Sequence, residues 1–216
     1  MKILFKCFAI LFLISLMINV PCLAQVYGVL TDSRDGKRYK TIKVDKFEIM
    51  AENLKFDKAG ICYDMEDLFC SDYGRLYDFE DVSVSLNGIC PVGWHIPSAG
   101  EWKYIFTKLS GKITNTESGF TLLNLSSNPL NFVFSGYGNG ERTGYVSFFG
   151  LKETGFFASS TKTHVVGNIE EWDEWMVVRF EKNEIPGQSN YKYNYFLFGT
   201  SLENNVSCRC IKDYKD

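Results

Sequence analysis

The stretch Pro97-Ser98-Ala99-Gly100-Glu101-Trp102 carries the strongest local signal in the sequence. The Ser98 side chain can accept a hydrogen bond from the backbone N–H of Glu101, and the Glu101 carboxylate can reach back to the Ser98 N–H. This reciprocal pair, a capping box, starts a helix. Apolar residues then recur at helical spacing as far as Ser110-Gly111, namely Trp102, Ile105, Phe106 and Leu109. The pattern predicts an amphipathic helix of about three turns whose aromatic stripe faces the core.

The residues nearer the N-terminus predict a β-hairpin followed by irregular chain. Two β-prone runs, Val26–Thr31 and Tyr39–Val44, flank the turn-forming pair Asp35-Gly36. Phe47–Leu54 continues as a strand or a bend. Residues 55–75 carry two cysteines and are typical of an irregular surface loop held by a local bridge.

Around the capped helix, the sequence predicts one more helix and a C-terminal sheet. A short helix is expected from Asp78, with Asp81 three residues later. Beyond Leu122, short β-prone runs alternate with Gly, Asn and Ser turns. The expected strands are 131–134, 155–159, 175–180, 193–198 and 206–211. Because no long linker or internal repeat divides residues 25–216, we predict a single α+β domain with an N-terminal β-hairpin, two helices and a C-terminal antiparallel sheet with long loops.

Residues 1–24 predict a secretory signal peptide. Lys2 and Lys6 precede an apolar run from Cys7 to Val20. Cys22-Leu23-Ala24 then places small residues at the two positions that signal peptidase recognises before its cleavage site. A retained membrane anchor and a lipid anchor on Cys22 are the alternatives. The apolar run is shorter than the roughly 20 residues of a bilayer span. We therefore expect a secreted or cell-surface protein on the extracellular side, with no membrane span after cleavage.

Charge and composition narrow the kind of partner. The chain has 23 Lys and Arg against 26 Asp and Glu, and losing Lys2 and Lys6 with the signal changes its net charge from −3 to −5. A surface of this sign repels phosphate backbones and anionic lipid, which argues against nucleic acid or a membrane surface as the main partner. Aromatic residues make up 16% of the chain, and any excess over the needs of the core is what sugar-binding and protein-binding surfaces use.

The cysteine count indicates a disulfide framework. Five cysteines follow the signal segment: Cys62, Cys70, Cys90, Cys208 and Cys210. In an oxidising compartment this odd number implies two bridges and one spare thiol. Spacing alone leaves the pairing open.

A set of motifs occurs along the chain in a specific order. They are Thr31–Thr41, Met50–Leu54, Cys62–Asp64, Tyr73–Tyr77, Cys90–Ser98 with Glu101-Trp102, and Arg209–Asp213. In this order the motifs closely resemble the Fibrobacter succinogenes major paralogous domain, a family of secreted bacterial proteins. The resemblance covers nearly the whole mature chain.

This resemblance implies a C-type-lectin-like fold, which the formylglycine-generating, sulfatase-modifying enzymes share. Those enzymes have a helix start similar to Pro97–Trp102. A shared fold implies no particular chemistry. The chain departs from the family pattern at Ile49, where a Trp is usual, at the additional Cys208, and at Phe156–Ser159, which replaces a Trp-rich strand. The segment 163–174 is also longer than the family pattern suggests.

The resemblance also implies a disulfide pairing. Cys62 and Cys70 would clip the irregular loop, and Cys90 would join Cys210 on the last strand. Cys208 is then a possible free thiol, two positions from Cys210 and so on the same face of the strand. It is either a buried, inert thiol or one that is redox-active, intermolecular or in competition for Cys90.

Catalytic and metal-binding patterns are weak. Only His95 and His164 could transfer protons near neutral pH or bind a metal through imidazole, and His95, between Trp94 and Ile96, is typical of a structural hydrogen-bonding histidine. The sequence has no G-x-S-x-G, H-E-x-x-H or C-x-x-C motif. The acidic residues of 170–174 indicate a solvated loop, because the motifs with which lectins of this fold bind calcium are missing. We expect no catalytic residue, no metal and no cofactor.

These observations favour a noncatalytic binding or adhesion module whose partner is a polysaccharide or an extracellular surface protein. By analogy with the resembled fold, the ligand would lie on the long loops of the C-terminal half, where Trp172, Tyr191 and Tyr193 are the candidate contacts. Core packing is the alternative for each of the three. The competing functions are a structural or assembly component of the cell envelope, and an enzyme related to the formylglycine-generating group. The sequence does not set the oligomeric state.

Overall fold

The computed structural model describes residues 27–83, 88–110, 114–116, 119–125, 130–140, 144–184 and 191–214, with side chains except those of 110–125 and 182–193. The predicted signal peptide, residues 1–24, lies outside these ranges. Within them the chain forms two β-sheets and a few helices. The predicted α+β class is therefore confirmed.

The N-terminal hairpin is present as predicted. Strand β1 (Tyr27–Thr31) pairs antiparallel with β2 (Arg38–Val44). In the turn the Gly36 N–H donates to the Asp32 carbonyl at 2.8 Å, and Gly36 has a φ of 75°, which glycine adopts without strain. Strand β3 (Phe47–Met50) pairs with β2, and a strand formed by Ile211–Asp213 pairs with β3. These strands make a four-stranded sheet.

The segment 55–75 is more regular than the sequence predicts. It contains a 3₁₀ turn (Tyr63–Met65) and helix α1 (Asp67–Tyr73). Helix α1 stops at Gly74, which has a φ of 83° and donates its N–H to the Cys70 carbonyl. The prediction of an irregular loop is wrong for these residues. Because α1 has no buried side chain, it leaves no apolar period in the sequence.

Both predicted helices are confirmed. Helix α2 (Phe79–Ser83) is preceded by Asp78, whose carboxylate accepts the Asp81 N–H at 2.8 Å. Helix α3 (Ala99–Ser110) begins with the predicted capping box. Ser98 Oγ accepts the Glu101 N–H at 3.2 Å, and Glu101 Oε2 accepts the Ser98 N–H at 2.8 Å. The cap therefore fixes where α3 starts.

The remaining strands form a large sheet. Their bounds are β4 (Leu76–Tyr77), β5 (Thr114–Thr116), β6 (Gly119–Leu125), β7 (Ser135–Asn139), β8 (Ser147–Leu151), β9 (Thr154–Val166), β10 (Glu171–Glu184), β11 (Tyr191–Thr200) and β12 (Asn204–Ser207). The described order is β4, β12, β7, β9, β10, β11, β6 and β5, with β8 paired to β7, while β13 (Ile211–Asp213) belongs to the small sheet. Most pairs are antiparallel, but β9 runs parallel to β7 and β12. The predicted strands 155–159, 175–180 and 193–198 lie in β9, β10 and β11.

The predicted strand 131–134 is wrong, because strand β7 begins only at Ser135. The carbonyls of Leu130 and Asn131 accept hydrogen bonds from the Arg209 guanidinium instead of from a neighbouring strand. Asn131 also has a φ of 50°, which breaks an extended ladder. Long-range pairing with one side chain thus overrides the local β propensity.

The predicted strand 206–211 is divided in two. Strand β12 lies in the large sheet and β13 in the small one. Between them, the carbonyls of Cys208 and Cys210 accept the N–H groups of Leu54 and Met50 at 2.9 and 3.0 Å. This segment therefore crosses from one sheet to the other.

Strands β9 and β10 extend past their neighbours as a two-stranded ribbon. They stay paired as far as Val166 and Glu171, whereas β11 pairs with β10 only from Trp175 onward. The Gly167 N–H closes the turn by donating to the Glu170 carbonyl at 2.9 Å. We call residues 163–174 the ribbon. The prediction of a long loop here is wrong, because both faces of the ribbon meet solvent and no apolar alternation marks its strands.

Aromatic side chains fill the space between α3 and the large sheet. The ring of Phe132 lies 4.2 Å from Phe157 and 5.3 Å from Phe180, centroid to centroid. Phe106 of α3 meets Tyr195 of β11 at 4.6 Å. All five residues are buried. Aromatic packing of this kind supplies much of the apolar burial that stabilises a domain.

The structure contains two disulfides, Cys62–Cys70 and Cys90–Cys210, which is the pairing that the family resemblance implies. Cys208 is free and buried. The first bridge spans 8 residues and the second spans 120. Because a bridge restricts the unfolded chain more when its loop is longer, Cys90–Cys210 is the main covalent restraint.

We predict that the two bridges contribute unequally to stability. Replacing Cys90 and Cys210 together with alanine should lower the free energy of unfolding by up to about 5 kcal/mol, and the matched Cys62 and Cys70 replacement by about 2.5 kcal/mol, on the chain-entropy estimate. Urea unfolding of the oxidised proteins, followed by tryptophan fluorescence, measures both losses. Equal losses would contradict the prediction.

Candidate functional site

The three aromatic residues predicted as ligand contacts lie on strands. Trp172 is in β10, and Tyr191 and Tyr193 are in β11, where they pair with Glu184 and Lys182. The prediction that they occupy loops is wrong. Trp172 and Lys182 are separated by ten positions along β10, or about 33 Å at 3.3 Å per residue. The structure therefore does not bring the three together, and the side chains of Tyr191 and Tyr193 lie outside the described residues.

Trp172 is held in place near the tip of the ribbon. Its side chain is 43% exposed, and its Nε1 donates to Glu174 Oε1 at 3.0 Å. The ring lies against Gly167, where an added Cβ would come within 2.7 Å of Trp172 Cζ3. Val166 and Ile169, 69% and 98% exposed, lie at the same tip. The ribbon thus presents an ordered apolar tip to solvent.

The acidic residues predicted as a solvated loop belong to this ribbon and are partly paired. Asp173 Oδ2 accepts from Lys162 Nζ at 2.7 Å, and Asp173 Oδ1 lies 3.0 Å from His164 Nδ1. Glu171 Oε2 lies 3.3 Å from His164 Nε2. Hydrogen bonds to Asp173 and then to Glu171 raise the pKa of His164 above its usual 6.5, and Lys162 and His164 lower the pKa of Asp173.

We predict a pH dependence for this charged face. Because the folded-state pKa of His164 is raised, its ion pairs stabilise the ribbon fully below pH 6.5 and lose that effect as the pH rises through the folded pKa. Asp173→Asn should lower the pKa of His164, since it removes the largest cause. A titration of the His164 ring signals by NMR measures the shift. Glu153→Gln, an exposed change in another turn, is the control, and an unchanged pKa in Asp173→Asn would refute the assignment.

His95 has structural hydrogen bonds at the start of α3. Its Nε2 lies 3.0 Å from Glu101 Oε1. Its backbone N–H and carbonyl both bond to Ile211 of β13 at 2.8 Å. The imidazole is 45% exposed, so the side chain lies at the surface while its backbone ties two elements together.

Three buried sulfur atoms lie close together. The Sγ atoms of Cys90, Cys208 and Cys210 are all within 4.8 Å of one another, and in the described parts of the chain this is the one such group of potential metal ligands. Two of the sulfurs form a disulfide, and burial raises the pKa of the Cys208 thiol far above its ordinary value. Burial thus disfavours the thiolate form of Cys208.

A polar groove crosses the face where the hairpin, the Met50–Lys55 segment and α1 meet. It consists of three adjoining depressions of about 410, 170 and 300 Å³. The first and second share Ala51 and Asn131, and the second and third share Lys55. We call these three neighbouring depressions together the groove. Sequence reasoning missed it, because its walls come from segments far apart in the chain.

Arg209 forms the floor of the middle depression. It is fully buried, and its Nε donates to Asn53 Oδ1 at 2.9 Å. Its Nη1 donates to the carbonyls of Met50 and Leu130, and its Nη2 to that of Asn131. Burial lowers the pKa of the guanidinium to about 9, so it stays charged at neutral pH. In the sequence, Arg209 stands between Cys208 and Cys210 in a mostly apolar run. This position is the signal that could have indicated a buried arginine.

The third depression also contains a guanidinium. Arg75 donates from Nε to the Ala59 carbonyl at 2.9 Å and from Nη2 to the Gly60 carbonyl at 2.7 Å, and its Nη1 contacts the sulfurs of the Cys62–Cys70 bridge. At the shared boundary Lys55 Nζ donates to the Ser71 carbonyl. Arginine side chains held by protein acceptors therefore line the second and third depressions. Such a surface can bind an extended polar ligand.

A sequence model of the Fibrobacter succinogenes major domain matches residues 30–212, and the chain belongs to this family. No curated protein and no solved structure was found to match the chain. Across the described ranges, helices long and apolar enough to cross a membrane are absent.

Proposed function

We propose that this protein is a noncatalytic extracellular binding module that holds a polysaccharide in the groove. The groove itself carries the proposal. It consists of three neighbouring open depressions that share lining residues, and asparagine, lysine and arginine side chains line it. Tyr27, which lines the first depression, is 55% exposed. Polar donors with adjacent aromatic rings suit the hydroxyl groups and ring faces of sugars.

The proposal includes a cellular location and a fold class. The signal peptide at residues 1–24 would export the protein to the cell surface or the medium. The mixed sheets and the capped helix α3, which begins at Ala99, fit a C-type-lectin-like fold. A noncatalytic role fits the buried, protonated Cys208, because an enzyme of the formylglycine-generating type needs a reactive cysteine. The proposal requires no cofactor or metal.

A polysaccharide array probed with the mature protein tests the proposal, followed by calorimetry on the best binder. Tyr27→Ala should weaken binding about three- to tenfold, because an aromatic contact contributes roughly 0.5–1.5 kcal/mol. Tyr145→Ala is the matched control, since Tyr145 is 86% exposed and lies outside the groove-lining residues. If neutral and acidic polysaccharides alike fail to bind, the proposed function is wrong.

The exposed apolar tip of the ribbon favours a second candidate function, the binding of a protein partner. Val166 and Ile169 are aliphatic and cannot stack on sugar rings, yet they lie beside Trp172 at an exposed tip. Exposed apolar groups of this kind anchor protein interfaces. The cell-surface partner would then be a protein, bound through the ribbon and independently of the groove.

Binding of the purified protein to intact cells that export it discriminates the two candidates. If the partner is a protein, protease treatment of the cells should abolish binding, and Trp172→Ala should weaken it at least tenfold, as expected for a tryptophan anchor. Leu68→Ala on α1 removes another exposed apolar side chain, 68% exposed, and should have no effect. Binding that survives protease treatment and is competed by soluble polysaccharide excludes the ribbon candidate.

A further inference from the structure

The two disulfides differ in how they meet solvent. Cys90 and Cys210 are 2% and 0% exposed, and neither lines any of the three depressions of the groove. Cys70 is partly exposed and lines the third depression, which has a volume of about 300 Å³. Thiol–disulfide exchange requires a thiolate to reach one of the two sulfur atoms. Cys62–Cys70 is therefore the more accessible bridge to an external thiol.

A fixed positive charge lies against this bridge. Arg75 Nη1 is 3.7 Å from Cys62 Sγ and 3.6 Å from Cys70 Sγ. The carbonyls of Ala59 and Gly60 hold the guanidinium in place. A cation next to a sulfur stabilises the thiolate, which is the form in which a cysteine leaves during exchange. The guanidinium therefore favours opening of the bridge.

The remaining charged groups around the bridge determine which sulfur retains the negative charge. The third depression is also lined by Lys37, Lys55, Asp57 and Asp67. Of these four, Asp67 is the one with a described contact to the bridge, since its Oδ1 lies 3.7 Å from Cys62 Sγ. A carboxylate at this position repels a thiolate and can accept the S–H of a thiol. After reduction, Cys62 is thus the protonated cysteine and Cys70 the thiolate.

The loop that the bridge closes has a strained backbone. Asp64 and Met65 are adjacent and have φ values of 50° and 59°, a left-handed conformation that residues other than glycine rarely adopt. Met65 is 54% exposed, so little packing compensates for the strain there. The bridge spans 8 residues and encloses both positions. Opening it lets the two residues relax, which favours the reduced form.

Helix α1, which carries Cys70, is weakly held apart from the bridge. It has no buried side chain. Its Phe69 ring packs edge-on against Tyr63 at 5.7 Å, and its Tyr73 carbonyl accepts from Asn53 Nδ2 at 2.8 Å. A segment with so few buried contacts opens locally more easily than the core does. Loss of the bridge therefore releases the start of α1 while the two sheets stay folded.

We propose that Cys62–Cys70 is a redox-labile bridge, which an external dithiol reduces ahead of Cys90–Cys210, and that its reduction releases α1 from the wall of the groove. Residues of α1 line the second and third depressions. Reduction therefore changes the shape of that wall. The inference concerns the bridge itself and does not depend on what the groove binds.

The exchange balances with a dithiol as the reductant. One of its thiolates attacks Cys70 Sγ, and the electron pair of the breaking S–S bond passes to Cys62 Sγ beside Arg75. The second thiolate of the reductant then attacks its own sulfur in the mixed disulfide and releases Cys70. The reductant is oxidised to a disulfide, and the protein gains two electrons. The two protons of the dithiol go to Cys62 and to solvent.

Graded reduction of the mature protein with dithiothreitol tests this inference. After acid quenching, unfolding and alkylation, peptide mass mapping reports the concentration at which each cysteine becomes free. Cys62 and Cys70 should be half-alkylated at a dithiothreitol concentration about tenfold or more below that for Cys90 and Cys210. Cys208, which is free in the folded protein, should be alkylated throughout and is the internal reference. If both bridges open at the same concentration, the inference is overturned.

Hydrogen exchange of the selectively reduced protein tests the release of α1. The amides of Met65, Glu66 and Phe69 donate to carbonyls within the segment at 3.0, 3.1 and 3.0 Å. They should exchange about tenfold or more faster after reduction, because local opening exposes them. The Trp102 amide of α3, bonded to the Ser98 carbonyl at 2.9 Å, should keep its rate. If the first three amides keep their rates too, the bridge does not control α1 and the inference is wrong.

A charge variant tests the role of the guanidinium. In Arg75→Gln the positive charge beside the sulfurs is lost, so the rate at which dithiothreitol reduces Cys62–Cys70 should fall about two- to fivefold. Lys58→Gln removes the same charge from an exposed neighbouring position that does not line the third depression, and it should leave the rate unchanged. An equal fall in both variants, or no fall in Arg75→Gln, would contradict the role assigned to Arg75.

Discussion

A buried positive charge, which forms no ion pair with the described residues, determines how the middle of this protein is arranged. The guanidinium of Arg209 can leave water only if its hydrogen bonds are replaced, and Asn53, Met50, Leu130 and Asn131 supply the replacements. The guanidinium also lies 4.5 Å from the centroid of the Phe132 ring. Three remote segments must therefore hold their positions together. Asn53 extends the network, because its Nδ2 donates to the Tyr73 carbonyl and to Ser207 Oγ.

The segment that carries Arg209 also joins the two sheets. Its flanking strands β12 and β13 belong to different sheets, and Cys210 is bonded to Cys90 just before α3. The floor of the groove is thus fixed covalently and by a network of buried polar groups. If the groove binds a ligand as proposed, such a floor would be rigid before the ligand arrives, which reduces the entropy lost on binding.

The features that the sequence predicted correctly are those with local causes. The capping box of Ser98 and Glu101 needs only four consecutive residues, and the hairpin turn needs only Asp35-Gly36 between β-prone runs. The ribbon and α1 escaped prediction, because neither buries an apolar face. The groove escaped because Asn53, Asn131 and Arg209 meet only in the folded state. Trp172, Tyr191 and Tyr193 are aromatic residues beside polar ones, and this local pattern carries no information on whether they lie together in the folded protein.

The position of β12 constrains the order in which the protein can be made. This strand lies between β4 and β7 in the large sheet, and β13 completes the small one, yet both come after all the other described strands in the chain. A polypeptide synthesised from its N-terminus therefore cannot close either sheet until residues 204–213 have emerged. The last strand of each sheet and the Cys90–Cys210 bridge are therefore added only at the end of synthesis, although most of the large sheet can already have paired by then.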